Sequence, residues 1–316
     1  SISPISGKFG TAYTPPPNPT RPGYQFAGWT PELPPVIPTG NLSVTATWTA
    51  QTYQVVFNGN GATGGSMAPQ NIAYLSTAAL TPNVFVRTGY SFAGWATSAG
   101  GGVVYADGAN YTMNAMGATL YAVWSPSAAT FTVQHYLQDI GAQTYSLGLS
   151  TTQSGTTGQV GIAQWETIAG FTANYGYAGN VTAGVIEGGG GLVLKLHYTR
   201  NSYTLSFSGA DGMAPINAQF GQEIAQPAAP DKPGFNFAGW YLDEGLTQPV
   251  VWPYTMGTAN KTLYAKWVLG TYTVAFDPAG GKINGTTGIK YSTVTYAATY
   301  AEGTLGFPTP EKTGYT

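Results

Sequence analysis

The chain has 316 residues and a formal net charge of −2, with only 8% Asp, Glu, Lys and Arg but 44 Gly, 22 Pro and 22 Tyr. Typical soluble domains are about 25% charged, so the surface must be built from Thr, Ser, Asn and Gln, and with no basic cluster there is no electrostatic footprint for nucleic acid or an anionic membrane. Cysteine is absent, which excludes disulfide staples and thiolate metal sites, and no apolar run approaches the roughly 18 residues of a membrane-spanning helix.

In chain order, residues 1–50 run from the Pro-rich Tyr13-Thr-Pro-Pro-Pro17 through Arg21-Pro-Gly-Tyr-Gln-Phe-Ala-Gly-Trp29 to Trp48. Residues 51–128 open on the alternating strand Tyr53-Gln-Val-Val-Phe57, whose residues 53, 55 and 57 face one side. A Gly-rich turn follows, then a strand-like stretch at Val84–Val86, the nonapeptide again as Arg87-Thr-Gly-Tyr-Ser-Phe-Ala-Gly-Trp95, Tyr111-Thr-Met113, and a closing strand Leu120-Tyr-Ala-Val-Trp124. Residues 129–200 differ: they open with Phe131-Thr-Val-Gln-His135, close with Leu192-Val-Leu-Lys-Leu-His-Tyr198 and lack Phe-Ala-Gly-Trp. Residues 201–270 return to the first order with Tyr203-Thr-Leu-Ser-Phe207, Lys232-Pro-Gly-Phe-Asn-Phe-Ala-Gly-Trp240, Tyr254-Thr-Met256 and Leu263-Tyr-Ala-Lys-Trp267. Residues 271–316 hold the first half only, from Tyr272-Thr-Val-Ala-Phe276 to Lys312-Thr-Gly-Tyr315, and the two ends read as cuts in something longer.

This is a repeat array, and a residue set copied into every module builds cores rather than active sites. The expected core signature is Tyr24, Phe26, Trp29 and Trp48; Tyr90, Phe92, Trp95 and Trp124; and Phe235, Phe237, Trp240 and Trp267. Glycine before the aromatic permits a tight entry turn, and glycine beside Trp permits close backbone approach beneath a large ring. With so much Gly and Pro no long amphipathic helix can be drawn, so the expected fold is mainly β, in small modules joined by linkers that leave little slack.

The order Tyr-x-Val-x-Phe, Gly-Gly, Gly-Tyr-x-Phe-Ala-Gly-Trp, Tyr-Thr-Met, Leu-Tyr-Ala-x-Trp resembles the Listeria-Bacteroides repeat, or internalin B-repeat family, over residues 1–127 and 202–316. The middle module resembles mucin-binding-protein repeats through its opening strand, Ile168-Ala-Gly-Phe171 and the closing Leu-Lys-Leu-His-Tyr-Thr-Arg. The resemblance implies compact, β-grasp-like small α+β modules of about 70 residues, strung in tandem on secreted bacterial surface proteins and adhesins.

The chemistry-bearing patterns are weak. Gly59-Asn-Gly-Ala-Thr-Gly64 matches G-x-G-x-x-G after a strand, but Pro69 interrupts the helix that should follow, so a hairpin turn is the better reading. The two histidines, His135 and His197, are placed on edge strands of the middle module where they could lie close in space, yet without Cys or a carboxylate cluster they make a poor metal site. Asp243-Glu244, the one adjacent acidic pair, reads as a solvated turn. No catalytic, cofactor or metal site is expected, and no enzyme.

The expected function is that of an extracellular adhesin stalk or spacer on a bacterial surface, with neighbouring modules or identical subunits as partners. Two alternatives stay open. In one, the strand Tyr272, Val274, Phe276 completes the N-terminal half-module of the next molecule, giving head-to-tail filaments, although the halves overlap and one copy must be displaced. In the other, the middle module binds host or surface glycans, which calls for three or more solvent-facing Tyr or Trp lining one groove of residues 129–200.

Overall fold

The computed structural model describes residues 2–297 and 310–314. All regular elements among them are strands. The α component expected of a β-grasp is missing from the described residues, because glycine and proline recur too often to sustain a helical stretch.

The chain divides into two compact units, one of Ser1–Thr132, Thr152–Ile162 and Ala183–Leu194, the other of Val133–Thr151, Ala163–Thr182 and Lys195–Thr316. The main body of the first unit is a four-stranded sheet in the order Gln70–Ala73, Thr52–Asn58, Ala118–Pro126, Tyr90–Ala96. The outer pairs are antiparallel, whereas the two central strands run parallel from Val55↔Ala118 to Asn58↔Tyr121. A small ladder, Thr77–Ala79 with Asn110–Thr112, accompanies this sheet. Alternation sends Val55 and Phe57 into a core with Ile72, Leu80, Trp95, Tyr111, Met113 and Leu120, while Gln54 and Val56 face outward. The same unit holds the hairpin Tyr24–Thr30 with Thr45–Ala50.

The second unit repeats the design with Ile216–Gln219, Ser202–Ser208, Lys261–Leu269 and Phe235–Tyr241. Its central pair is again parallel, from Leu205↔Lys261 to Ser208↔Tyr264, and its ladder is Glu223–Ile224 with Tyr254–Thr255. Leu205, Ala218, Ile224, Trp240, Met256 and Leu263 form the core. Farther on, Thr271–Phe276 pairs with Lys290–Thr295, and Lys282–Ile283 with Pro310–Glu311. The middle segment forms a different sheet, ordered Tyr145–Thr156, Ala128–Gln138, Val193–Arg200, Phe171–Ala173.

The strand expected at Val84–Val86 is not one. Asn83 Oδ1 accepts the Phe85 amide at 3.0 Å and Asn83 Nδ2 donates to the Phe85 carbonyl at 3.0 Å, so the local side chain takes the backbone groups a ladder needs, and only Val86 bridges to Gly64.

Gly59–Gly64 is a turn with no helix after it. Asn60 sits at φ 45° and its Nδ2 donates to the Ala99 and Ala122 carbonyls at 2.9 Å, while the Trp124 indole N–H donates to the Gly59 carbonyl at 3.0 Å. Trp267 repeats this staple on the Gly209 carbonyl at 2.8 Å. Trp124→Phe keeps most of the ring contact but removes the staple, so its urea midpoint should fall by the equivalent of about 1 kcal/mol, the usual net worth of one hydrogen bond.

Candidate functional site

The core signature is organised by a β-bulge. The pairing of the Phe-Ala-Gly-Trp strand with the closing strand slips between Phe26 and Gly28, between Phe92 and Gly94, and between Phe237 and Gly239. In a regular strand residues three apart face opposite sides; the extra residue turns Phe and Trp to the same face. Their ring centroids lie 4.9 Å apart for Phe92 and Trp95 and 5.2 Å apart for Phe237 and Trp240. The glycine beside Trp serves the bulge, with φ of 137°, 144° and 125° at Gly28, Gly94 and Gly239; at Gly94 the backbone also approaches closely, a Cβ there falling 2.7 Å from the Tyr105 carbonyl oxygen.

Trp95 and Trp240 are 0% and 2% exposed and receive Phe57 and Phe207 at 4.9 and 4.8 Å. Phe92 and Trp124 are half-buried against the first core and Phe237 against the second; Trp267, also half-buried, packs on Phe237 at 5.5 Å, and Tyr90 and Phe235 are half-buried outside the two clusters. In the N-terminal hairpin Tyr24, Phe26, Trp29 and Trp48 are all half-buried. Trp29 packs on Phe26 at 5.3 Å and lines a cavity of about 820 Å³ together with Ile5, Tyr13, Ile37 and Val44. Tyr272, Val274 and Phe276 pair with Val294, Ser292 and Lys290 along one edge of their strand, and Tyr272 is 51% exposed.

Successive sheets are joined by one residue each. Strand Thr45–Ala50 is followed, after Gln51, by Thr52–Asn58; Ser127 separates Ala118–Pro126 from Ala128–Gln138; Asn201 separates Val193–Arg200 from Ser202–Ser208; and Gly270 separates Lys261–Leu269 from Thr271–Phe276. Each linking residue is held from both sides. Its amide donates to a glycine carbonyl behind it: Gln51 to Gly23, Ser127 to Gly89, Asn201 to Gly170, Gly270 to Gly234, at 2.8–2.9 Å. Its carbonyl accepts an amide ahead of it: from Tyr74, Thr157, Phe220 and Tyr296 respectively, at 2.8–3.0 Å.

The two histidines lie on the central strands of the middle sheet, not on its edges, since Tyr145–Thr156 and Phe171–Ala173 flank them. They serve different clusters. His135 is fully buried, with Nδ1 2.9 Å from Tyr198 Oη and Nε2 3.1 Å from Thr151 Oγ1. The Glu166 amide donates to Tyr198 Oη at 2.9 Å, so the Tyr198 hydroxyl, the His135 imidazole and Thr151 Oγ1 form one buried hydrogen-bonded chain. Burial lowers the His135 pKa, against an opposing pull from Glu166.

His197 stacks on Tyr136 at 5.0 Å, with Tyr177 at 4.4 Å and Tyr145 at 5.1 Å. Asn180 Oδ1 accepts the His197 backbone amide at 2.9 Å and lies 3.0 Å from Nδ1, so Nδ1 carries the proton. Burial lowers this pKa too, and the Lys195 charge adds to it. Around these rings Tyr175 is 72% and Tyr177 36% exposed, while Tyr136, Tyr145 and Trp165 are half-buried. Two solvent-facing rings fall short of the three that a glycan groove calls for. Thr151, Tyr198 and Asn180 were invisible from sequence, since their roles depend on strand pairing; the period-2 spacing around the two histidines was the one available signal.

The Listeria-Bacteroides repeat domain model matches residues 4–33, 53–123 and 203–266, over half of the chain. A Gly-rich membrane protein of Evansella cellulosilytica is 30% identical over 293 residues, 84% of this chain and 32% of that protein. A second membrane protein of the same organism is 39% identical over 92 residues, 28% of this chain and 14% of that one. Internalin H of Listeria monocytogenes is 31% identical over 118 residues, 36% of this chain and 19% of its own length. The chain thus spans less than a third of the length of these relatives. All three matched segments carry the Phe-Ala-Gly-Trp bulge and the second and third also the parallel central strands, and the chain belongs to the Listeria-Bacteroides repeat family.

Proposed function

We propose that this chain is a non-enzymatic part of an extracellular bacterial surface protein, where it acts as a stalk or spacer carrying tension between an anchor and an adhesive end. Residues 51–128, 129–200 and 201–270 are its complete modules, flanked by half-modules at 1–50 and 271–316. The observation that carries this reading is the parallel pairing of the first and last strands of each repeated segment, Thr52–Asn58 beside Ala118–Pro126 and Ser202–Ser208 beside Lys261–Leu269. Tension enters at the start of the first strand and leaves at the end of the last. In a parallel pair those points lie at opposite ends, so the ladder is loaded in shear and its bonds must break together rather than one by one. One-residue linkers add almost no slack. The names of the relatives, membrane proteins and an internalin, agree with a surface location.

The test is to display the chain between a cell-wall anchor and a tagged binding domain. Deleting residues 202–269 should lower the tag toward the cell while target binding by the tag persists. Unchanged height with lost adhesion would instead make the chain itself the adhesive element.

A further inference from the structure

We infer that the glycine of each Gly-aromatic turn is a docking socket for the leading ring of the next repeat, and that this socket, rather than the linker alone, sets the angle between successive modules. The inference rests on the spacer reading and names the contact that would make such a spacer stiff. The glycines are Gly23, Gly89, Gly170 and Gly234, with φ between 78° and 84°. A backbone in this left-handed region disfavours any side chain. Space closes the same positions: a Cβ on Gly23 would fall inside the Tyr74 ring, one on Gly170 inside the Phe220 ring, and one on Gly234 inside the Tyr296 ring. Those three rings belong to the residues whose amides bond the linking carbonyls of Gln51, Asn201 and Gly270. The junction at Gly89 uses a smaller version, in which Gly188 and Thr157 fill the place of the ring.

Each socket has a second wall. The aromatic after the glycine meets the incoming ring edge-on or tilted, at 5.4 Å for Tyr24 and Tyr74, 5.9 Å for Phe171 and Phe220, and 5.8 Å for Phe235 and Tyr296. Its other side is capped by a cation: Arg21 over Tyr24 at 4.0 Å, Arg87 over Tyr90 at 4.1 Å, Arg200 over Phe171 at 4.6 Å and Lys232 over Phe235 at 4.8 Å. At the third junction Arg200 also donates to the Phe220 carbonyl at 2.8 Å. The cation cap recurs at all four junctions and the docked ring at three of them, although two different module types are joined. Three junctions sharing one ring geometry, with a fourth filled by Gly188 and Thr157, point to selection for the contact and not to chance packing. The Gly-aromatic pair of the repeat signature therefore serves the neighbouring module as well as its own.

The absence of cysteine makes a clean test possible. Spin labels on Gly176→Cys and Ala259→Cys, both exposed, report the distance across the third junction by pulsed electron resonance. The parent chain should give a narrow distribution. Gly170→Ala and, separately, Phe220→Ala should each broaden it at least twofold, the double variant should be no broader than the wider single, and circular dichroism should show both flanking sheets still folded. Phe9→Ala, at a ring 70% exposed, is the neutral control. Narrow distributions in both variants overturn the socket and leave the spacer reading standing. A broad distribution in the parent chain overturns both. If Gly170→Ala fails to fold, Phe220→Ala decides alone, since it leaves the backbone unstrained.

Discussion

Trp95→Ala unfolds residues 52–126 while 202–269 stay folded. Trp95 has no solvent exposure and touches Phe57, Phe85 and Phe92 with centroids 4.9, 6.3 and 4.9 Å away. Truncating a buried tryptophan removes about 3–5 kcal/mol. A segment of this size has only roughly 4–11 kcal/mol in total at the usual stability per residue, so the variant retains little or nothing. Its twin core around Trp240 shares no residue with it and should keep its own transition. Calorimetry combined with limited proteolysis checks this. The expected record is the loss of one transition and a resistant fragment covering 202–269; cooperative loss of the whole chain would refute independent folding.

The middle segment should be the acid-sensitive part of the chain. Both histidines lie there, and both have pKa values lowered from 6.5, chiefly by burial. Above about pH 6.5 neither the folded nor the unfolded chain binds these protons, so stability is flat. As pH falls from 6.5 toward the folded values the unfolded state binds protons that the folded state refuses, and stability drops by up to about 1.4 kcal/mol per pH unit per histidine. The groups facing them are Glu166 and Tyr198 for His135, and Lys195 for His197, the glutamate opposing the effect and the lysine reinforcing it. Asp139, held low first by its hydrogen bond to Thr144, titrates well below this window. Melting followed between pH 7.5 and 5 should show one transition moving down and the others fixed. The double variant His135→Gln, His197→Gln should remove that slope; a slope that survives it would assign the sensitivity elsewhere.

The architecture was legible where hydrophobic alternation and a repeated signature coincide, as in Tyr53–Phe57 and its copy Tyr203–Phe207. It was less legible where side chains compete with the backbone: Asn83 takes the amide that a strand at Val84–Val86 needs. The bulge was hidden because nothing in Phe-Ala-Gly-Trp states that Ala is the extra residue; only the register with the closing strand reveals it. The sequence shows the strands that carry the histidines but not their order, so it cannot tell the central positions they occupy from edges. The junction contacts were the least visible, since each joins a turn of one repeat to a residue 50 or more positions away in the next, and such pairs leave no local pattern.

The central claim, that repeated segments stand in series and carry tension through parallel central strands, is tested most directly by pulling one molecule by its ends. The account predicts separate ruptures, with 52–126 and 202–269 each releasing roughly 250 Å of chain at about 3.6 Å per residue. Val55→Pro should lower the force of the first rupture alone by breaking its parallel ladder. A featureless extension at low force, or one rupture that releases the whole chain, would contradict it.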